Sequence, residues 1–251
     1  VECININGTK LYWIDTPWDE NFFSLKTIEI LKIENENQEN LVKCLKQLVA
    51  ISNGELFYGR FKSSSQRIKK AFYASSYYVA EVSASVSLFR LQRYKLPDIY
   101  TNRLLRLDSL SDSDSEYIKK HIGESFRYSR FHEDPNIDDS ICDARMSGWV
   151  GDLIQNETKC MVYKSHNKLH SFMFYSISSN EVSLILGGSL KGSEFHAPFF
   201  WASVLDQFQR LGFEKIRTRI SLSNLGVLSL YQNLGFKISD VKYDYHRLRR
   251  K

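Results

Sequence analysis

The sequence predicts an α/β protein on three observations. Apolar residues repeat at a period of two in some stretches and at helical spacing in others, and the two patterns alternate along the chain. Three strand-like runs, 159–164, 169–177 and 182–190, are joined by short turns, as in an antiparallel meander. Beyond them come a helix, a strand, a helix and a strand, with a glycine closing each helix.

Residues 11–13 and 25–33 read as strands around a turn region at 18–23. Leu41, Cys44, Leu45, Leu48 and Val49 recur at helical spacing, so 38–52 is an amphipathic helix that Asn53-Gly54 ends. Residues 55–61 form a short strand and 65–74 a short helix, and 77–91, rich in tyrosine and valine, form a long strand. Leu96-Pro97-Asp98 marks a break, and a domain boundary is expected near residue 100, giving domains 1–100 and 101–251. A strand can start at 104–106, and 111–124 carries helix signals. The polar, irregular stretch 129–139 precedes a helix at 140–155 with apolar Ile141, Ala144, Trp149, Val150, Leu153 and Ile154. After the meander, Pro198 suits the first turn of a long helix, where the missing N–H costs little. Its apolar stripe is Trp201, Val204, Leu205, Phe208 and Leu211, closed by Gly212. Residues 214–221 alternate, with Ile216, Thr218 and Ile220 facing one way and Arg217 and Arg219 the other. Asn224 is an N-cap candidate for a helix bearing Val227, Leu228, Tyr231 and Leu234, which Gly235 stops before a last strand at 236–248.

Composition narrows the function classes. A chain of 251 residues with 43% hydrophobic and 25% charged residues is that of a folded protein. No apolar run reaches membrane-spanning length, and the polar opening VECININGTK has no signal-peptide core, so a cytoplasmic location is expected. The charge sum, 34 basic against 29 acidic, is a dispersed +5. It suits a phosphate-bearing small ligand and disfavours nucleic acid. The dense run Arg247, Arg249, Arg250 and Lys251 reads as a solvated tail. Cys3, Cys44, Cys142 and Cys160 lack metal-ligand spacing, so no metal is expected, and Cys44 and Cys160 read as core packing. His121, His166, His170 and His246 show no metal spacing and receive no role.

The stretch 224–236, NLGVLSLYQNLGF, matches N-x-x-(A/V)-x-x-x-Y-x-x-x-G-F at Asn224, Val227, Tyr231, Gly235 and Phe236. With the order of elements around it, residues 103–251 resemble the GNAT superfamily of CoA-dependent N-acyltransferases. Ser129-Arg130-Phe131-His132-Glu133-Asp134-Pro135, followed by a helix with Trp149, resembles the S-R-F/Y-x-x-D-P segment of dTDP-fucosamine acetyltransferase and related nucleotide-sugar enzymes. Pro17-Trp18-Asp19-Glu20-Asn21-Phe22-Phe23 resembles the P-W-D-x-x-F-F opening of their extra domain, itself half a GNAT fold. The resemblance implies a GNAT fold with a mixed, mainly antiparallel sheet, plus an N-terminal half-GNAT-like domain. It also implies acyl transfer from acyl-CoA, carrying acetyl or a longer group such as 3-hydroxybutanoyl. The acceptor would be a dTDP-linked dideoxyamino sugar destined for surface polysaccharide. A homodimer is compatible with it.

The pattern (Q/R)-x-x-G-x-(G/A) is broken here: Gly192-Ser193-Glu194-Phe195-His196-Ala197 fits only at Ala197. Phe195 stands where a glycine permits close approach, and Glu194 adds a negative charge. Even so, a helix N-terminus offers backbone N–H groups and a dipole to a pyrophosphate. The expected donor contacts are therefore Ser193, Glu194, Phe195, His196 and Ala197; the resemblance adds Asn224, the N-cap candidate, and implies pantetheine along Ile185, Leu186, Gly187 and Gly188.

By the same resemblance, the strand is splayed at Gly187-Gly188, where its backbone would polarise the thioester carbonyl. The competing reading is that two glycines mark a strand end or bulge. Tyr231 is the candidate general acid for the leaving thiolate, or else one more core position on an apolar helix face. Ser129, Arg130, Phe131, Asp134 and Trp18 are the candidate acceptor contacts. Arg130 is open between phosphate binding and a surface ion pair, Asp134 between a role in the site and bridging loops, and Trp18 with Phe22 and Phe23 between a pocket and core. His132, Glu133, Asp134 and His196 are the general-base candidates, with deprotonation by water as the alternative. Two rivals stand beside this reading: a GNAT enzyme with a protein or antibiotic acceptor, and a non-catalytic module of the same fold.

Overall fold

The computed structural model describes residues 1–249, so Arg250 and Lys251 of the basic tail lie outside the described residues. In chain order the elements are β1 (Glu2–Ile6), β2 (Thr9–Asp15), α1 (Pro17–Phe23), β3 (Thr27–Glu34), α2 (Gln38–Ile51), β4 (Leu56–Lys62), α3 (Gln66–Ala74) and β5 (Tyr78–Phe89). They continue with α4 (Asp98–Thr101), β6 (Asp108–Ser109), α5 (Asp112–Ser125), α6 (Asp139–Gln155), β7 (Cys160–Ser165), β8 (Lys168–Ser178) and β9 (Glu181–Ser189). The chain ends with α7 (Ala197–Arg210), β10 (Lys215–Ser221), α8 (Leu225–Asn233) and β11 (Lys237–Leu248). Two expectations are corrected. Residues 17–23 form a helix rather than a turn, with Pro17 in its first turn and Ser24 in the left-handed region at its end. The strand expected at 104–106 is instead the two-residue β6.

Contacts divide the chain into two units whose bounds fall inside β5, α6 and β11. The first comprises residues 1–83, 129–142 and the chain from 240 on, and the second comprises 84–128 and 143–239.

In the first unit the strand order is β1-β2-β3-β4-β11. β1 to β3 form an antiparallel meander, α2 carries the chain over to a β4 parallel to β3, and β11 pairs antiparallel to β4. Leu41, Cys44, Leu45 and Leu48 of α2 are fully buried, as their spacing predicts. They pack with Leu11, Ile28, Phe57, Phe72 and Tyr245 in one core. A second core joins Phe23, Leu56, Tyr58, Phe131 and Cys142.

The second unit repeats the element order. β7, β8 and β9 form an antiparallel meander, turned at His166 and Asn167, both at positive φ. α7 then leads to β10, parallel to β9. One core gathers Phe200, Trp201, Val204, Leu205 and Phe208 of α7 with Tyr231, Val182 and Leu184. The other gathers Ile118, Ile122, Met146 and Val150 of α5 and α6 with Phe172, Phe174 and Leu186. Helix starts follow their caps: Ser65 accepts from Ile68 N–H, Asn224 accepts from Val227 N–H, and Ser111 with Asp114 forms a reciprocal capping box.

Candidate active site

In the second unit, β9 and β10 begin as a parallel pair and then part. Their ladder runs from Lys215↔Glu181 to Arg217↔Ser183, yet β10 continues to Ser221 and β9 to Ser189. The closed end is pinned by charge. Lys215 and Arg217 both reach Glu181, and Arg217 Nε donates to Ser183 Oγ at 2.9 Å. At the next step a side chain substitutes for the ladder, as Thr218 Oγ1 donates to the Leu184 carbonyl at 2.9 Å.

A β-bulge bends β9 at this fork. Phe174 faces Leu186 and Tyr175 faces Leu184, so Ile185 is the extra residue. An extra residue bends a strand and raises its twist. It also shifts the alternation of faces: Leu184 belongs to the α7 core, and Leu186, two residues on, to the α5–α6 core. The splay therefore starts at the bulge, ahead of Gly187-Gly188. The two glycines have a packing reason of their own. A Cβ on Gly187 would strike the end of Met173, and one on Gly188 would lie 2.8 Å from the Phe126 ring.

Tyr231, on α8, is 3% exposed and packs edge-on against Trp201 and Phe236. Burial raises its phenol to about 12, with Trp201 and Thr218 acting the other way. The hydroxyl thus stays protonated at neutral pH, and its neighbour Thr218 is the residue that bridges the fork. Asn224 is occupied as the α8 cap, its Oδ1 accepting from Val227 N–H at 3.1 Å.

The loop before α7 is turned inward. Ser193 N–H donates to Leu190 O, His196 N–H to Ser193 O, and Ala197 N–H to Glu194 O. Gly192 N–H donates to the Glu194 carboxylate at 3.0 Å. The backbone N–H groups of Glu194 and Gly192 hold that carboxyl below its usual range. Past the Thr218–Leu184 bridge, the β9 edge expected to hold pantetheine has no β10 ladder partner among the described residues. The loop expected to face the donor diphosphate has committed most of its donors to its own acceptors. Phe195 is exposed and stacks on His196, with centroids 3.8 Å apart.

His170, which its spacing left without a role, packs against this loop from β8. Its Nδ1 lies 2.9 Å from the buried Ser193 Oγ, and its ring is 4.7 Å from that of His196. Burial lowers both histidines, with Lys168 acting further on His170 and His170 on His196.

The acceptor candidates lie in the first unit. Arg130 donates to the Glu29 carboxylate at 3.0 Å and lies 4.5 Å over the Tyr58 ring. Ser129 Oγ is 2.8 Å from His132 Nδ1. Phe131 is buried against Phe23, Tyr58 and His246. Asp134 is buried and accepts from Tyr78, from Asn136 and from His246 Nδ1, the last at 2.7 Å. Trp18 is exposed on α1, while Asp19 beside it is buried and accepts from Tyr58 OH. A second polar group sits on β4, β5 and β11: Arg60 bridges Asp244 at 2.6 Å and Glu81 at 2.8 Å, and Ser83 donates to Asp244. Neither His246 nor the Arg60 group was legible in the sequence, since each brings together residues far apart in the chain. Arg247 of the basic run is likewise engaged, donating to Ser75 O.

Among the described residues no helix is long and apolar enough to cross a membrane, and no group of three or more His, Cys, Asp or Glu side chains is placed to hold a metal ion. No family model and no curated protein matches the sequence. Solved structures do match in shape. A GCN5-related N-acetyltransferase from Sphaerobacter thermophilus superposes with a TM-score of 0.66 at 9% identity, over 97% of this chain and 77% of that one. A second, from Kribbella flavida, gives 0.58 at 7%, over 98% and 88%. The tandem GNAT protein from the clavulanic acid biosynthesis pathway gives 0.57 at 7%, over 88% and 75%. The fold is that of the GNAT N-acetyltransferases. At these identities the likeness shows the fold alone, with its mixed sheet, as the sequence led one to expect.

Proposed function

We propose that this chain is an acyl-CoA-dependent N-acyltransferase, and that its reaction takes place at the fork of β9 and β10. One observation carries the reading: the β9–β10 ladder stops at Ser183, the bulge at Ile185 bends β9 away, and the protonated Tyr231 phenol neighbours the Thr218 bridge at that point. Acyl-CoA supplies an activated acyl group as a thioester. The β9 backbone about Gly187 holds the pantetheine arm and donates to the thioester carbonyl, stabilising the charge that develops there. The neutral acceptor amine forms the new C–N bond as the C–S bond breaks. Tyr231 gives its proton to the departing thiolate, and the proton lost by the amine returns the phenol to its resting form.

Residues 1–100 read as a half-GNAT-like domain that, with Trp18, Ser129, Arg130, Phe131 and Asp134, serves the acceptor. The acceptor we favour is a dTDP-linked dideoxyamino sugar, with acetyl-CoA or 3-hydroxybutanoyl-CoA as donor, in a cytoplasmic enzyme of surface polysaccharide synthesis. A second reading, a non-catalytic module of this fold, is favoured by the loop closed through Glu194.

The test is thiol release from a panel of acyl-CoAs with dTDP-amino sugars, free amino sugars and peptides as acceptors. Turnover confined to dTDP-amino sugars is expected, and turnover with peptides alone would reject the acceptor assignment. Tyr231→Phe keeps the ring and its packing. It is expected to lower kcat by roughly 10²–10⁴ with little change in CoA affinity. A variant within about threefold of the parent in a single-turnover assay, far short of that range, would remove Tyr231 from the chemistry.

A further inference from the structure

The loop between β9 and α7 holds an anion already, and the anion is part of the chain. Gly192 is at φ +81°, in the left-handed region, and this turn brings its N–H to the Glu194 carboxylate at 3.0 Å. The contact spans two residues and closes a small ring of backbone and side chain. Three more N–H groups of the loop are bound as well: Ser193 to Leu190 O, His196 to Ser193 O and Ala197 to Glu194 O. The 3-10 turn Glu194–His196 runs straight into α7, so the helix does not begin with a bare first turn. A carboxylate on such N–H groups uses the interaction that a phosphate oxygen would use there. It also sets a negative charge in the path of a second one, where like charges disfavour each other. The Glu194 side chain is solvent-exposed and the contact is short-range, so it can swing away without disturbing a core.

We propose that Glu194 is a resident anion that stands in for a donor phosphate and must be displaced when a diphosphate-bearing donor binds. The proposal rests on the reading of this loop as the donor's diphosphate site. It makes Glu194 the residue that sets the affinity for CoA against that for donors carrying the pantetheine arm without the diphosphate. The structure thereby assigns a role to a side chain that is only a departure from the expected loop pattern.

The experiment is isothermal titration of the wild-type chain, Glu194→Gln and Glu194→Ala with two probes, CoA and pantetheine. Gln removes the charge and retains an acceptor, whereas Ala removes both. The CoA Kd is expected to fall at least about fivefold, more in Ala than in Gln, as fits the loss of an exposed charged contact. The pantetheine Kd should stay within about twofold, because that probe has no diphosphate to compete with the carboxylate. If CoA binds all three chains equally, or binds the variants more weakly, the proposal is overturned and the reading of the donor site stands. If pantetheine tightens as much as CoA, Glu194 acts on the arm and the proposal is overturned. If CoA binds none of the three, the reading of the loop falls and takes the proposal with it.

Discussion

His246 lies on β11 with no solvent exposure, its Nδ1 2.7 Å from Asp134, a residue 112 positions earlier. Spacing along a strand cannot announce such a partner, and so the sequence left His246 without a role while it singled out Asp134. The pair sets one limb of a pH profile. Burial holds His246 below 6.5, so it is neutral and its Nδ1–H donates to Asp134. An unfolded chain takes up a proton there near 6.5, and stability is lost as pH falls through that value. Glu81 works in the opposite sense. Burial first, and then the Asp244 charge, push it up to about 8 from an ordinary 4.5. Its folded form keeps a proton that the unfolded chain releases, so its contribution is complete below 4.5 and is lost as pH rises towards 8. Between 4.5 and 6.5 the two effects oppose each other. Asp134, held below 3.8 although burial pushes it up, because His246, Asn136 and Tyr78 hydrogen-bond it, adds a further acid loss. Thermal melts are therefore expected to show a maximum near pH 6.5, a shallow shelf below it and a steep fall under about pH 4. In Glu81→Gln the decline between pH 6.5 and 8 should vanish. A decline of unchanged slope in that variant would mean that Glu81 is ionised in the fold.

At the scale of the element, most helices were legible because their ends are written in single residues. Ser65, Asn224 and the Ser111–Asp114 box each accept from a first-turn N–H, and Gly212 and Gly235 sit at positive φ just past a helix. α1 was not legible: seven residues hold only two turns, too few for a period to emerge. The bulge was not legible either, since an extra residue leaves no mark on composition and Ile185 suits a strand. The resemblance placed the splay at Gly187-Gly188, whose lack of side chains has a second cause in the packing of Met173 and Phe126. The two glycines should respond differently to substitution. In Gly187→Ala the new methyl meets mainly the flexible end of Met173, which can yield, and lies 3.1 Å from the Phe172 carbonyl oxygen. In Gly188→Ala it meets the edge of the Phe126 ring, which packs against Phe172. Overpacking of this kind costs roughly 1–3 kcal/mol. Urea unfolding should show the larger loss for Gly188→Ala, and a larger loss for Gly187→Ala would mean that the Met173 side chain is locked in place.

For the whole molecule, both units show a meander, a helix, a parallel strand and a helix, as β1-β2-α1-β3-α2-β4-α3, with the short α1 inserted in the meander, and as β7-β8-β9-α7-β10-α8. Only part of that repetition was legible in the order of elements: the strands and helices from β2 to α3, apart from α1, show a local hydrophobic period, whereas β1, which completes the first meander, was not read as a strand. The ownership of segments was not legible, because it depends on pairings between distant parts of the chain. The first unit takes its fifth strand from the end of the sequence: Lys242–Leu248 of β11 lie along Lys62–Leu56 of β4. It also takes Phe131, which fills the space between Phe23 and Tyr58, and Asp134, the partner of Tyr78 and His246. A fragment of residues 1–100 would lose all three contributions. Its β4 edge, with Leu56, Phe57, Tyr58 and Phe61, would be left unpaired, and an apolar open edge invites association. Removing Phe131 alone takes away a buried aromatic, a change that costs about 3–5 kcal/mol as Phe→Ala. That is a large part of a typical domain's stability of about 5–15 kcal/mol. The 1–100 fragment is therefore expected to show no cooperative unfolding transition in urea and to self-associate. In the full chain, Phe131→Ala should lower the unfolding midpoint strongly. A fragment that melts cooperatively as a monomer would show that β11 and the 129–142 segment decorate a domain already complete at residue 100.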